Sequence, residues 1–156
     1  MLKLFKKKGE PVHSPVAGTI MTLDQVPDPV FAKRSVGDGF AVEPTEGSFV
    51  SPVDGELVLV AKTGHAFAVR TDAGAEILVH IGIDTVTLKG EGFTTHRTAG
   101  ERVSRGDLII SCDLAEIALK VPSMSTPVIL TNGSKFSMDQ PDLSAGDAPV
   151  ITVRRK

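Results

Sequence analysis

The chain has 156 residues, 41% of them hydrophobic, with fifteen glycines, ten prolines and one cysteine; that is enough apolar material for one domain, and it excludes a disulfide framework. Seventeen basic residues stand against nineteen acidic ones, but Lys3, Lys6, Lys7, Lys8, Arg154, Arg155 and Lys156 sit in the two tails, which leaves ten against nineteen and a net of −9 in the body. With Trp and Tyr both absent, that balance excludes nucleic acid and points to a basic protein surface as partner.

Residues 1–9 read as a flexible basic tail. Met1–Lys8 combines Met1, Leu2, Leu4 and Phe5 with four lysines, and eight residues are too few for a stable helix in water. Residues 10–156 read as one domain. Its glycines and prolines cut it into short segments, which predicts an all-β, antiparallel sandwich or barrel-like fold with short helical turns. There is a weak internal echo, Ser14-Pro15-Val16-Ala17-Gly18 resembling Ser51-Pro52-Val53-Asp54-Gly55, which reads either as reuse of one turn type or as a duplicated β-motif. No apolar run approaches a membrane span and the N-terminus lacks a secretory core, so the expected location is the cytoplasm.

The most informative stretch is a predicted hairpin. Gly64–Arg70 alternates, Thr71-Asp72-Ala73-Gly74 is a turn cluster, and Ala75–Ile81 alternates again. A loop symmetric about Asp72-Ala73 sets Arg70 opposite Ala75, Phe67 opposite Leu78 and His65 opposite His80. It puts His65, Phe67, Val69, Glu76, Leu78 and His80 on one face and Ala66, Ala68, Ile77, Val79 and Ile81 on the other. An odd loop or a bulge would break this register.

Two imidazoles on one small apolar surface allow three readings. One histidine takes a group covalently while the other stabilises its charge; both hold a zinc ion that needs further ligands; or both are satisfied histidines of a sheet. Further on, Asp113–Lys120 is the one predicted helix, with Asp113 as N-cap and Pro122 beyond its end. Cys112, at a predicted strand end, reads as a buried structural thiol.

The string Leu78-Val79-His80-Ile81-Gly82-Ile83-Asp84-Thr85-Val86 with Gly90-Glu91-Gly92-Phe93 resembles the signature of the glucose-type IIA component of the bacterial phosphoenolpyruvate:sugar phosphotransferase system. Val26-Pro27-Asp28-Pro29-Val30-Phe31-Ala32, Val36-Gly37-Asp38-Gly39, Pro52-Val53-Asp54-Gly55 and Thr63-Gly64-His65-Ala66-Phe67 match in order, so the similarity runs from about Ser14 to Val153. The resemblance implies a β-sandwich phosphoryl carrier, a phosphotransferase that works through a phosphohistidine in sugar uptake. His80 would accept the group from phospho-HPr and pass it to the cysteine of a IIB permease domain. His65 would support the phosphohistidine, with Thr63 orienting it. The backbone amides of residues 82–84 would join His65 as donors to the phosphoryl oxygens.

By position, the resemblance also implies a docking patch of Asp28, Val30, Phe31, Val36, Leu78, Asp84 and Val86. It implies regulatory binding to permeases or kinases, and contact between residues 1–8 and the inner face of the membrane. It requires no cofactor, although zinc could sit on His65 and His80 where a partner completes the site.

Two rivals have the same β-rich style. A biotinyl or lipoyl carrier would use Lys62 in Val60-Ala61-Lys62-Thr63, but the methionines or acid that flank such a lysine are missing. A zinc hydrolase of the lysostaphin type would need a His-x-His pair, and none is present.

Overall fold

The computed structural model describes residues 9–156; the expected membrane contact and all but the last residue of the predicted tail fall on residues 1–8, outside them. Thirteen strands follow one another among the described residues: β1 (Glu10–Val12), β2 (Gly18–Met21), β3 (Asp38–Pro44), β4 (Ser48–Val50), β5 (Gly55–Val60), β6 (Ala66–Arg70), β7 (Glu76–His80), β8 (Phe93–Thr95), β9 (Arg102–Val103), β10 (Leu108–Cys112), β11 (Thr126–Leu130), β12 (Phe136–Met138) and β13 (Ile151–Arg155). A short helix α1 (Pro29–Ala32) lies between β2 and β3, and α2 (Leu114–Ala118) between β10 and β11. Every strand pairing is antiparallel.

A seven-stranded sheet in the order β2-β3-β11-β7-β6-β5-β9 is accompanied by two three-stranded sheets, β4-β10-β8 and β1-β13-β12. The main core lies where these sheets meet: Phe40, Val42, Phe67, Val69, Ile77, Val79 and Val128 of the large sheet pack in one cluster with Val12, Phe49, Ile109, Ile110 and Val153 of the smaller ones. Alternation sends the intervening residues to the opposite face, as period two requires. There Ala41 and Ile129 join Leu23, Val26, Phe31 and Ile83 in a second apolar cluster, with Met21, Val36 and Leu78 packed against it. The all-β sandwich with short helical turns expected from the sequence is the observed fold.

The two echoing turns are built alike in their hydrogen bonds. The hydroxyls of Ser14 and Ser51 each donate to the carbonyl two residues on, at 2.7 Å in both cases. The two turns also bond each other reciprocally: His13 N–H donates to Pro52 O at 2.9 Å, and Val50 N–H to Pro15 O at 2.8 Å. Shifting by 37 positions maps one bond onto the other.

The predicted hairpin exists, but its register differs from the expectation by one residue. Arg70 pairs with Glu76, Ala68 with Leu78, Phe67 with Val79 and Ala66 with His80. The loop has five residues because Thr71 N–H bonds Ala75 O at 2.8 Å and Gly74, at φ 97°, supplies a left-handed position. Core composition shows why this register wins. It gathers Phe67, Val69, Ile77 and Val79, none more than 1% exposed, on the core face; the symmetric loop would have put Glu76 and His80 among them.

The helix predicted over 113–120 is shorter. Asp113 is its N-cap, accepting from Glu116 N–H at 3.2 Å, and Leu119 and Lys120 continue only as three-residue turns. Cys112 is half-buried rather than buried; burial and the neighbouring Asp113 push its thiol up to about 11.

Candidate functional site

The turn between β5 and β6 delivers the first histidine. Gly64 N–H bonds Ala61 O at 2.8 Å and Ala61 N–H bonds Ala66 O at 2.9 Å, which closes a tight reversal. Gly64 stands at φ 70°, and a Cβ there would lie 2.9 Å from Phe93 Cβ; only glycine fits. His65 follows, one residue before β6, with its carbonyl accepting from Ile81 N–H at 2.7 Å. His80 ends β7. The two imidazoles meet despite the changed register, because His65 lies outside the strand: their ring centroids are 5.2 Å apart at 74°.

Each ring is held at Nδ1. His80 Nδ1 lies 2.8 Å from Gly82 O, and since a carbonyl only accepts, Nδ1 carries the hydrogen and Nε2 of the neutral ring keeps a lone pair. His65 Nδ1 lies 2.5 Å from Thr63 Oγ1. Phe31 walls the other side of His80, with ring centroids 5.1 Å apart. Burial holds both imidazoles below the usual histidine range. For His65 the neighbouring His80 adds to the effect; for His80 the Gly82 carbonyl and the charges of Asp28 and Asp84 oppose it. Both rings are therefore neutral near pH 7.

The segment after His80 is fixed by buried hydroxyls. Gly82 at φ 73° allows the chain to turn, and a Cβ there would meet Thr85 Cγ2 at 2.7 Å. Gly82 N–H is directed at Thr126 Oγ1 at 3.4 Å, and Ile83 N–H bonds Ser123 O at 2.9 Å. This corrects one expectation: of the amides at 82–84, the first two already have acceptors. Sequence reading also missed the Gly82 carbonyl, Thr85 and Thr126. The last carried a signal, a hydroxyl residue opening an otherwise apolar strand, Thr126–Leu130.

The expected docking residues differ in exposure. Val30 and Val86 are 49% and 52% exposed, and Asp84 is exposed with a left-handed φ of 60°. Val36 and Leu78 are half-buried against the second cluster, whereas Phe31 is buried within it. Asp28 is half-buried and caps α1, accepting from Val30 N–H at 2.8 Å. Among the described residues no group of three or more His, Cys, Asp or Glu side chains could hold a metal, and no helix is long and apolar enough to cross a membrane. Grooves of about 400 and 310 Å³ line up around His13 and Arg105 and include neither His65 nor His80.

Comparison with known proteins places this geometry. Residues 10–136 match the family model for phosphoenolpyruvate-dependent sugar phosphotransferase system, EIIA 1. The chain is 44% identical over 159 residues to the PTS system glucose-specific EIIA component of Oceanobacillus iheyensis, covering 96% of each. It is 49% identical over 129 residues to the glucose-specific EIICBA component of Streptococcus pneumoniae, of which it covers 18%. Among solved structures, the glucose permease IIA from Mycoplasma capricolum superposes with a TM-score of 0.87 at 41% identity, over 96% of this chain and 97% of that one. The chain belongs to the EIIA 1 family of the phosphoenolpyruvate-dependent sugar phosphotransferase system and is a phosphoryl carrier of that system.

Proposed function

We propose that His80 Nε2 is the atom that carries the phosphoryl group, that phospho-HPr supplies it, and that the cysteine of a IIB domain in a glucose-class permease receives it. The observation that carries this reading is the pair of imidazoles 5.2 Å apart, with the His80 hydrogen committed to Gly82 O. The Nε2 lone pair forms the new N–P bond while the N–P bond of the donor breaks and its electron pair stays on the donor ring. On transfer, the acceptor thiolate forms an S–P bond and the pair returns to Nε2. Throughout, Nδ1 keeps its hydrogen, so the phosphorylated ring is cationic and leaves readily; the negative end of the Gly82 carbonyl stabilises it. With the Thr63 hydroxyl donating to Nδ1, His65 presents Nε2–H to the phosphoryl oxygens.

The reaction needs no cofactor. Zinc on His65 and His80 would have only two ligands from this chain and depends on a partner for the rest. Acidic charge in the body, with Asp28 and Asp84 beside the pair, suits a basic donor surface. Fusion of the A unit with B and C units in the Streptococcus pneumoniae relative supports the IIB acceptor and a place of action in the cytoplasm, beside the membrane that holds the permease. Contact of residues 1–8 with that membrane and regulatory binding to permeases or kinases through the same face belong to this reading.

The test uses the full chain with Enzyme I, HPr and labelled phosphoenolpyruvate. Acid-labile label is expected on His80 and absent from His80→Ala, while His65→Gln takes label but passes it to a IIB domain more slowly. Label retained by His80→Ala overturns the assignment.

A further inference from the structure

Only five polar residues are buried among the described ones, Ser51, Thr71, Thr85, Ser125 and Thr126, and three of them gather beside the segment that follows His80. Burying a hydroxyl is costly unless it is hydrogen-bonded, so three in one place call for a local cause. Their bonds supply it.

Beyond Ile81, two consecutive peptide units are each held at both ends. In the Ile81–Gly82 unit, the carbonyl accepts from Thr85 Oγ1 at 2.6 Å and the N–H points at Thr126 Oγ1 at 3.4 Å. In the Gly82–Ile83 unit, the N–H donates to Ser123 O at 2.9 Å and the carbonyl accepts from His80 Nδ1 at 2.8 Å. Thr126 Oγ1 donates in turn to Met124 O at 3.0 Å, so its oxygen is left to accept. Ser123 is itself anchored, since its hydroxyl donates to Ser125 Oγ at 2.9 Å and that hydroxyl donates to Glu43 at 3.0 Å.

A peptide plane bonded at one end can swivel; one bonded at both ends cannot. From this geometry we infer that Thr85 and Thr126 are positioning residues of the relay: their hydroxyls lock the Ile81–Gly82 peptide plane, which together with the Gly82–Ile83 plane held by Ser123 O aims the Gly82 carbonyl at His80 Nδ1, and so select the tautomer with the free pair on Nε2. Neither threonine touches the phosphoryl group. Both are fully buried, and valine fills the same volume as threonine, so loss of the hydroxyl is separable from loss of packing. The inference rests on His80 Nε2 being the acceptor atom.

The experiment combines ring nitrogen NMR of His80 with phosphorylation kinetics, on the full chain and on Thr126→Val, Thr85→Val, the double variant and the two Thr→Ser forms. In the unmodified protein at pH 8 the ring is expected to be the Nδ1–H tautomer. Each valine form should show a mixture of tautomers and a phosphorylation rate lowered about tenfold, with KM for HPr unchanged, and the serine forms should restore both. An Nε2–H ring in the unmodified protein overturns the inference without any variant. So does a folded double valine form with the parental tautomer and rate, or one whose tautomer changes while the rate does not. If valine prevents folding, Thr126→Ala is read by the same two measurements. Mapping the label keeps the outcomes apart: label on a residue other than His80 defeats the proposed function, whereas label on His80 with an indifferent Thr126 and Thr85 defeats only this inference.

Discussion

The two faces of the seven-stranded sheet carry similar side chains and are finished differently. On one, Phe67, Val69, Ile77 and Val79 are sealed by two further sheets. On the other, Leu78, Ala41 and Ile129 pack with Leu23, Val26, Phe31 and Ile83, joined by Met21 and Val36, while Val30 of α1 and Val86 of the segment after His80 are about half exposed. Strands supply stability on the first face. The second is covered by loops and one-turn helices, and on the proposed reading its remaining apolar surface is what a partner covers.

The strongest way to break this contrast is to truncate a phenylalanine on each face. Phe67→Ala should lower stability by about 3–5 kcal/mol, because a closed core cannot collapse around the cavity, yet the molecules that stay folded should accept phosphate normally. Phe31→Ala should cost less stability but reduce the phosphorylation rate per folded molecule by about tenfold or more, since it removes the wall 5.1 Å from the His80 ring. Denaturant titration and initial rates on the same samples give both numbers. A Phe31 variant that loses stability alone would make the second cluster an ordinary minor core.

Smaller in energy, but more selective, is a charge placed at an exposed valine. Val30→Asp and Val86→Asp alter residues 49% and 52% exposed, so stability should stay within about 0.5 kcal/mol. If a partner covers these valines, each aspartate must be desolvated on docking, and KM for HPr should rise about tenfold. Unchanged kinetics for both would mean that docking occurs elsewhere.

How much of this was legible in the chain differs between the two faces as well. The hairpin strands and the sandwich class follow from alternation, turn residues and the family strings, whereas His65 and His80 meet for a reason other than the expected register, because His65 lies in the turn before β6 while Ala66 pairs with His80. The register does not follow, because a loop of four and a loop of five look alike in Thr71-Asp72-Ala73-Gly74-Ala75; choosing by which face collects the β-branched residues would have favoured the observed pairing. The cap on α1 is written in Asp28-Pro29, an N-cap followed by proline at N1, yet a four-residue helix has too little periodicity to be seen. The peptide planes after His80 are the least legible part, for they depend in part on the Thr126 hydroxyl of β11, more than forty residues away.

The smallest expected effect is a pH dependence, and its sign is fixed. Burial lowers both His65 and His80 from the usual value of 6.5, so in the interval between the folded and unfolded values the unfolded chain binds more protons. Stability should therefore fall as pH drops through that interval, and level off once the folded pair is also protonated. His13 is lowered too, chiefly by burial near Arg105, so the parent alone does not isolate the site. The comparison is between the parent and His80→Gln, each titrated with denaturant from pH 8 to pH 5: the variant should lose part of the slope, and the part it keeps belongs to His13 and His65. Phosphorylation should follow the same ring, with an acid limb below pH 6.5 because neutral His80 persists there. A limb above 6.5 would mean that the charges of Asp28 and Asp84 outweigh burial, and that the open face is wetter around His80 than its half-buried position indicates.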